Sequence, residues 1–386
     1  MLRLDPRGRR GSRASLRNRL HAPPKYVLPG RRSEFREPSA VSRSRRPRLD
    51  SQRSPTVRRP PHAESCTGSQ NPCAGGHRLR SLDGAKRSYD RGLRIAERLI
   101  DVNGVKLCTE SFGDPADSPI LLVMGLGGSM LWWQDGFCRL LAGRGRFVIR
   151  YDQRDTGRST TYEPGHPGYT GRDLRADVVA LLDEYHLEAA HLVGVSAGGA
   201  LVQLLALESP GRIQSLVLIS TSPAVPGDRG LPPPSAAFGE FVRSARVDWS
   251  DTDSVIEYLV SYARLLAGEQ RRFDEAEARD LVRRDVERAD NIAALQNHDL
   301  LENGNDKPGE PLSSIEAPTL VIHGTADPVF PLPHGMALAS EIPTARLLPL
   351  EGAGHGIQRA DWEAVAEAIA THAAGGPTRA RSQTRR

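Results

Sequence analysis

From about residue 93 to 221, and again from about 313 onward, the apolar positions alternate between two rhythms. Short apolar stretches of strand length, continuous at 120–124 and interrupted by a few polar residues at 146–152 and 213–220 and by Gly194 at 192–195, are separated by stretches of helical period. Runs that are apolar at every position read as strands buried on both faces, as in a parallel sheet. Residues 98–102 and 105–110 flank Asn103-Gly104, a strong hairpin signal. Ser129 is placed to cap a helix running through Leu141 that carries Trp132 and Trp133. A helix over 172–185 shows Leu174, Val178, Leu181 and Leu182 on one face. After 313 the pattern resumes with a strand at 319–323, a helix at 334–341, a strand at 346–350 and a closing helix at 362–372. The expected class is α/β, a mostly parallel sheet with helices on both faces.

Residues 222–312 break this alternation. Proline-rich turns (Pro223, Pro226, Pro232-Pro233-Pro234) lead into charged helical segments over 236–245, 253–267, 274–288 and 291–301. The predicted organisation is therefore a leader at 1–92, core at 93–221, a helical cap inserted at 222–312, core again at 313–374, and a basic tail at 375–386.

Charge sharpens that division. The chain of 386 residues carries a formal +5, yet residues 1–90 hold 22 Lys and Arg against 7 Asp and Glu, and 376–386 add four arginines. That leaves 91–375 at −14, an acidic body with basic ends, which argues against nucleic-acid binding by the folded part. The leader lacks a periodic apolar pattern and reads as a disordered extension. A transit peptide is the second reading, weakened by length and prolines, and a polyanion-binding arm ranks last. Cys66, Cys73, Cys108 and Cys138 lack framework or metal-ligand spacing and read as reduced thiols. No run approaches the ~18 apolar residues of a membrane span. Polar residues follow Arg9-Arg10 where an export signal needs an apolar region. The expected location is cytoplasmic, away from membranes.

The candidate chemistry centres on Gly194-Val195-Ser196-Ala197-Gly198, between a strand-length apolar run and a helical pattern. A strand–turn–helix this tight requires small neighbours and lifts Ser196 clear of the sheet. Serine needs a base, and the base a carboxylate to fix its tautomer. Asp327 follows the strand at 319–323, and His355 follows the strand at 346–350. In a parallel sheet the loops after strand carboxyl ends share one rim, so Ser196, Asp327 and His355 are expected to converge as nucleophile, orienting acid and base. The oxyanion donors expected are the N–H groups of Ala197 and of Leu126, within Gly125-Leu126-Gly127. His323 reads as a packed histidine and His191 as a surface one. His298, in the insertion, could reach a substrate but reads more simply as core or surface. Asp228, Asp299 and Asp306 are poor rivals to Asp327. No HExxH, EF-hand loop or paired CxxC is present, so no metal or other cofactor is called for.

On these residues the chain resembles the α/β-hydrolase superfamily over about 98–374. It is similar within it to aclacinomycin methylesterase-like serine esterases in 112–117, 122–125, 148–159, 333–335 and 342–347. Met124-Gly125 and Arg154-Asp155 stand where most of the superfamily has His-Gly and Arg-Gly, a departure those methylesterases share. The insertion carries none of these motifs. The resemblance implies a serine hydrolase that cleaves a small-molecule carboxylic ester, with a polyketide methyl ester as one candidate. It implies an acyl-enzyme on Ser196, with Asp327, His355, Leu126 and Ala197 in the roles above. Dehalogenases and epoxide hydrolases of this fold need a carboxylate where Ser196 stands. A thioesterase, a perhydrolase-type haloperoxidase, a carbon–carbon bond hydrolase and a non-catalytic small-molecule binding protein remain alternatives.

Overall fold

The computed structural model describes residues 94–301 and 310–375. The leader, residues 376–386 of the tail, and 302–309 of the insertion (with Asp306) lie outside the described residues. Eight strands form one sheet: β1 (Arg94–Val102), β2 (Val105–Phe112), β3 (Ser118–Val123), β4 (Arg146–Tyr151), β5 (Ala190–Val195), β6 (Ile213–Ile219), β7 (Thr319–Gly324) and β8 (Ala345–Leu350). Their order is β1-β2-β4-β3-β5-β6-β7-β8. The first two pairings, β1 with β2 and β2 with β4, are antiparallel, and every later pairing is parallel. The β1–β2 hairpin turns at Asn103 and Gly104, both at positive φ (48° and 77°), as a type I′ turn requires.

The apolar runs are continuous because alternate side chains enter two cores. Leu121, Val123, Leu192, Leu216, Leu218 and Val321 face α2 (Gly171–Glu184), α3 (Ala197–Glu208) and α7 (Pro333–Glu341) through Leu181, Val202 and Leu338. Ile120, Leu122, Val193, Val217, Ile219 and Ile322 face α1 (Asp135–Ala142) and α8 (Trp362–Ala374) through Phe137, Leu141, Val365 and Ile369. Each such side chain, fully buried, contributes about 1.5–3 kcal/mol of transfer free energy. The expected mostly parallel sheet with helices on both faces is what forms.

Between β6 and β7 lie α4 (Ala236–Ser244), α5 (Thr252–Ala267), α6 (Glu275–Arg288) and a 3-10 segment, Ile292–Leu300. They hold a third apolar cluster of Val255, Ile256, Leu259, Val282 and Val286. Three local expectations are corrected. The helix expected from Ser129 divides into a 3-10 turn, Met130–Trp132, and α1; Ser129 caps the turn, its Oγ accepting from Leu131 N–H. The last helix of the insertion is 3-10, tied to the core by side chains rather than by helical register. His191 is buried rather than on the surface, its ring bonded to Ser118 Oγ and Ser215 Oγ on the flanking strands. No described helix is long and apolar enough to cross a membrane.

Candidate active site

Ser196 sits between β5 and α3 with φ 54° and ψ −121°, a conformation that a non-glycine residue adopts only when its surroundings enforce it. Here they do. Ser196 N–H donates to Ile219 O at 2.9 Å, and Thr221 Oγ1 donates to Ser196 O at 2.7 Å. The small residues around it are explained by space. A Cβ on Gly198 would fall on the Val123 and Met124 carbonyls, and one on Gly194 would fall on the Gly198 carbonyl. The elbow is therefore wedged against the end of β3, beside the loop that begins at Gly125.

Asp327 and His355 lie just beyond β7 and β8, as expected from their place in the sequence. His355 Nδ1 is 2.9 Å from Oδ2 and 3.1 Å from Oδ1 of Asp327. Oδ1 also accepts from the N–H groups of Val329 (2.8 Å) and Phe330 (2.9 Å). Burial pushes the Asp327 pKa up, but His355 and these donors outweigh it and hold the carboxyl below its ordinary range. The His355 loop is fixed from two sides: its own N–H donates to Leu266 O of α5 at 2.7 Å, and Gly356 N–H to Ser220 Oγ at 2.9 Å. Among the described residues no hydrogen bond joins Ser196 Oγ to His355. Such contacts commonly tighten only when a substrate is bound.

The two expected oxyanion donors are open. Ala197 opens α3, where its N–H has no intrahelical acceptor. In the Gly125 loop, Gly127 N–H and Gly128 N–H are engaged, but Leu126 N–H forms no hydrogen bond among the described residues. The loop lies on the serine: a Cβ added to Gly125 would be 3.2 Å from Ser196 Cβ. Of the other histidines, His323 is buried, and its Nε2 donates to Phe330 O at 2.6 Å, a packing role as expected. His298 is buried against the Gly125 loop rather than exposed to the site.

Sequence reasoning missed the polar web that fastens the insertion to the rim. Asp152, buried after β4, accepts from Met130 N–H (2.8 Å), Arg158 N–H (3.0 Å) and Arg288 of α6 (2.7 Å). Arg288 also binds Glu97 of β1 at 2.8 Å. Asp285, one turn earlier on α6, accepts from Ser129 Oγ and from Trp132 Nε1. Burial, against the pull of those donors, raises the Asp285 pKa to about 6. Gln153 Nε2 donates to Met124 O at 2.8 Å, bracing the end of β3. The unusual Arg154-Asp155 pair has defined partners: Arg154 makes a two-pronged contact with Asp177, and Asp155 (φ 64°) accepts from Tyr169 and Asn297. The only sequence signal for any of this was the departure at Arg154-Asp155.

The family model described as the alpha/beta hydrolase fold matches residues 118–359. The chain is 35% identical over 292 residues to rhodomycin D methylesterase DauP of Streptomyces sp. (strain C5), covering 71% of this chain and 97% of that one. The same figures hold for rhodomycin D methylesterase DnrP of Streptomyces peucetius. A putative carbamate hydrolase, RutD of Pseudomonas savastanoi pv. phaseolicola, is 31% identical over 62% of this chain and 88% of its own. Among solved structures, a hydrolase from Pseudomonas aeruginosa PA01 is 29% identical, with TM-score 0.54, over 72% of this chain and 98% of that one. The esterase RhEst1 of Rhodococcus sp. ECU1013 shares the fold at TM-score 0.60 and 23% identity, over 73% and 100%. The chain belongs to the α/β-hydrolase family.

Proposed function

We propose that this protein hydrolyses a carboxylic ester of a small molecule through an acyl-enzyme on Ser196. Its substrate is a methyl ester borne on a polyketide-like scaffold. The observation that carries the reading is the Asp327–His355 pair, held on the rim that also carries the strained Ser196. Full-length similarity to the rhodomycin D methylesterases supports the ester and the substrate class. In the reaction, His355 Nε2 takes the proton of Ser196 Oγ as Oγ bonds to the carbonyl carbon. The electron pair moves to the carbonyl oxygen, where Leu126 and Ala197 N–H groups receive it. Collapse of the intermediate expels the alcohol, which takes its proton from His355. Water, deprotonated by His355, then attacks the acyl-enzyme, releases the acid and restores Ser196. Asp327 keeps the proton of neutral His355 on Nδ1 and stabilises the imidazolium. The insertion acts as a cap over this site.

The test is kcat/KM over a panel of methyl, ethyl and p-nitrophenyl esters, a thioester and an N-aryl carbamate, with an aromatic polyketide methyl ester included. Preference for the polyketide methyl ester by tenfold or more is the expected result. The RutD relatives favour a second reading, carbamate cleavage by the same three residues. Carbamate turnover with every ester inert would replace the first reading with that one.

A further inference from the structure

The backbone around Leu126 is pinned from both sides, and one of the pins comes from the insertion. The peptide joining Gly125 to Leu126 carries both the Gly125 carbonyl and the Leu126 N–H, on opposite edges. Gly125 O accepts from Gly128 N–H at 3.3 Å, which turns Leu126 N–H to the other side and leaves it unpaired. The next peptide, joining Leu126 to Gly127, presents its N–H to His298 Nδ1 at 3.0 Å. That nitrogen accepts, so it carries no proton; the ring proton sits on Nε2 and donates to Arg154 O at 2.7 Å. The imidazole is thus a neutral strut between two loops of the core, 171 residues from its acceptor contact.

We infer that His298 is a positioning residue of the oxyanion site, fixing the Leu126–Gly127 peptide so that Leu126 N–H stays open beside Ser196. Its surroundings suit that task. Burial lowers the His298 pKa, against the pull of Arg154 O and the Asp155 carboxylate, which keeps the acceptor lone pair on Nδ1 available. The neighbouring Asn297 is tied to Asp155 Oδ2 (3.0 Å) and to Gly165 N–H (2.7 Å), so the segment carrying His298 cannot slide. Leu295 from the same segment packs on Gly127, within 3.5 Å of where a Cβ there would stand. Gly127 itself has φ 68°, a conformation that glycine adopts readily and a residue with a side chain rarely does. The insertion therefore does more than cover the site: through His298 it sets the geometry of one oxyanion donor.

The inference rests on the esterase reading for its chemistry, and the experiment separates the two. The full chain and its His298→Phe, His298→Asn and His298→Gln variants are compared for kcat and KM on p-nitrophenyl acetate. The rate of Ser196 phosphonylation by a fluorophosphonate and the thermal melting of each are measured alongside. Asparagine can keep an acceptor near Nδ1 but not the donor to Arg154. Glutamine can keep the Arg154 donor but not the acceptor, and phenylalanine keeps only the ring. Misplacing one donor by an ångström lowers rates by up to about 100-fold. Expected are a 10- to 100-fold fall of kcat in the Phe and Gln variants with KM within threefold, a parallel fall in phosphonylation, and recovery of most activity in the Asn variant. Wild-type rates in a folded His298→Phe variant, equal rates for Asn and Gln, or losses that simply follow melting temperature would overturn the inference. If the Phe variant does not fold, Asn against Gln decides. Wild-type protein that is phosphonylated but cleaves no ester defeats the esterase reading alone, and the variants are then judged on phosphonylation.

Discussion

Replacing Asp327 by asparagine tests the proposed triad with little change of shape. Oδ1 of Asp327 accepts from the Val329 and Phe330 N–H groups at 2.8 and 2.9 Å, while Oδ2 makes the closer contact, 2.9 Å, with His355 Nδ1. An amide has only one oxygen. Two backbone hydrogen bonds, each worth about 0.5–1.5 kcal/mol, hold that oxygen at the Oδ1 position, and the reverse orientation would set donors against donors. The amide NH2 must then face His355, donate to Nδ1 and move the ring proton to Nε2. A ring with its proton on Nε2 cannot accept one from Ser196. The 3.1 Å contact of Nδ1 to Oδ1 does not rescue the tautomer, because that oxygen already serves two backbone donors. The expected loss in kcat is about 10⁴-fold, the size of a wrong-tautomer defect in serine hydrolysis, or about 5.5 kcal/mol of barrier. The backbone partners survive, so the variant is expected to melt cooperatively like the wild type. Steady-state hydrolysis of a p-nitrophenyl ester at pH 7.5 measures it. A folded variant retaining kcat within tenfold of wild type would refute the assignment of Asp327 as the orienting acid.

Two further outcomes follow from buried charge. Glu110 and Arg150 are fully buried, and Arg150 keeps Asp135 and Trp133 O if Glu110 is lost. Glu110→Ala is therefore expected to cost about 3 kcal/mol in urea unfolding, and a loss under 1 kcal/mol would contradict the pairing. Asp285 titrates near 6 when folded, against about 3.9 unfolded, so its charge destabilises the fold above pH 6, and this penalty disappears as the pH falls toward 4. Relative to wild type, Asp285→Asn should thus be more stable at pH 7.5 than at pH 4.5, by about 2 kcal/mol; a pH-independent difference would reject that burial.

What could be read in advance was whatever the chain encodes locally. The runs at 120–123, 192–195 and 320–322 are apolar throughout because both faces of those strands are covered, and that makes them unmistakable. The positions of Ser196 and Asp327 were legible because each follows such a run, and that of His355 because it follows β8, an edge strand with Arg346 in it, all three ending on the rim that parallel strands share. Asn103-Gly104 named its own turn. The polar web was not legible: Ser129 meets Asp285 across 156 residues and Asp152 meets Arg288 across 136, and no local pattern records such pairs. His191 misled for the same reason. At a strand start it reads as solvent-facing, yet serines from both neighbouring strands satisfy its ring and permit burial. The segment at 292–300 likewise makes its anchoring contacts, through Asn297 and His298, with distant loops that no local pattern records.

Whether Ser196 is the nucleophile of an ester hydrolase is decided by intact-mass analysis after fluorophosphonate treatment, wild type beside Ser196→Ala, with p-nitrophenyl ester turnover measured on the same samples. One phosphonyl adduct and turnover are expected in the wild type, with both lost in a folded Ser196→Ala variant. A folded wild type that gains no adduct and turns over no ester, or an alanine variant that keeps both, would contradict that role for Ser196.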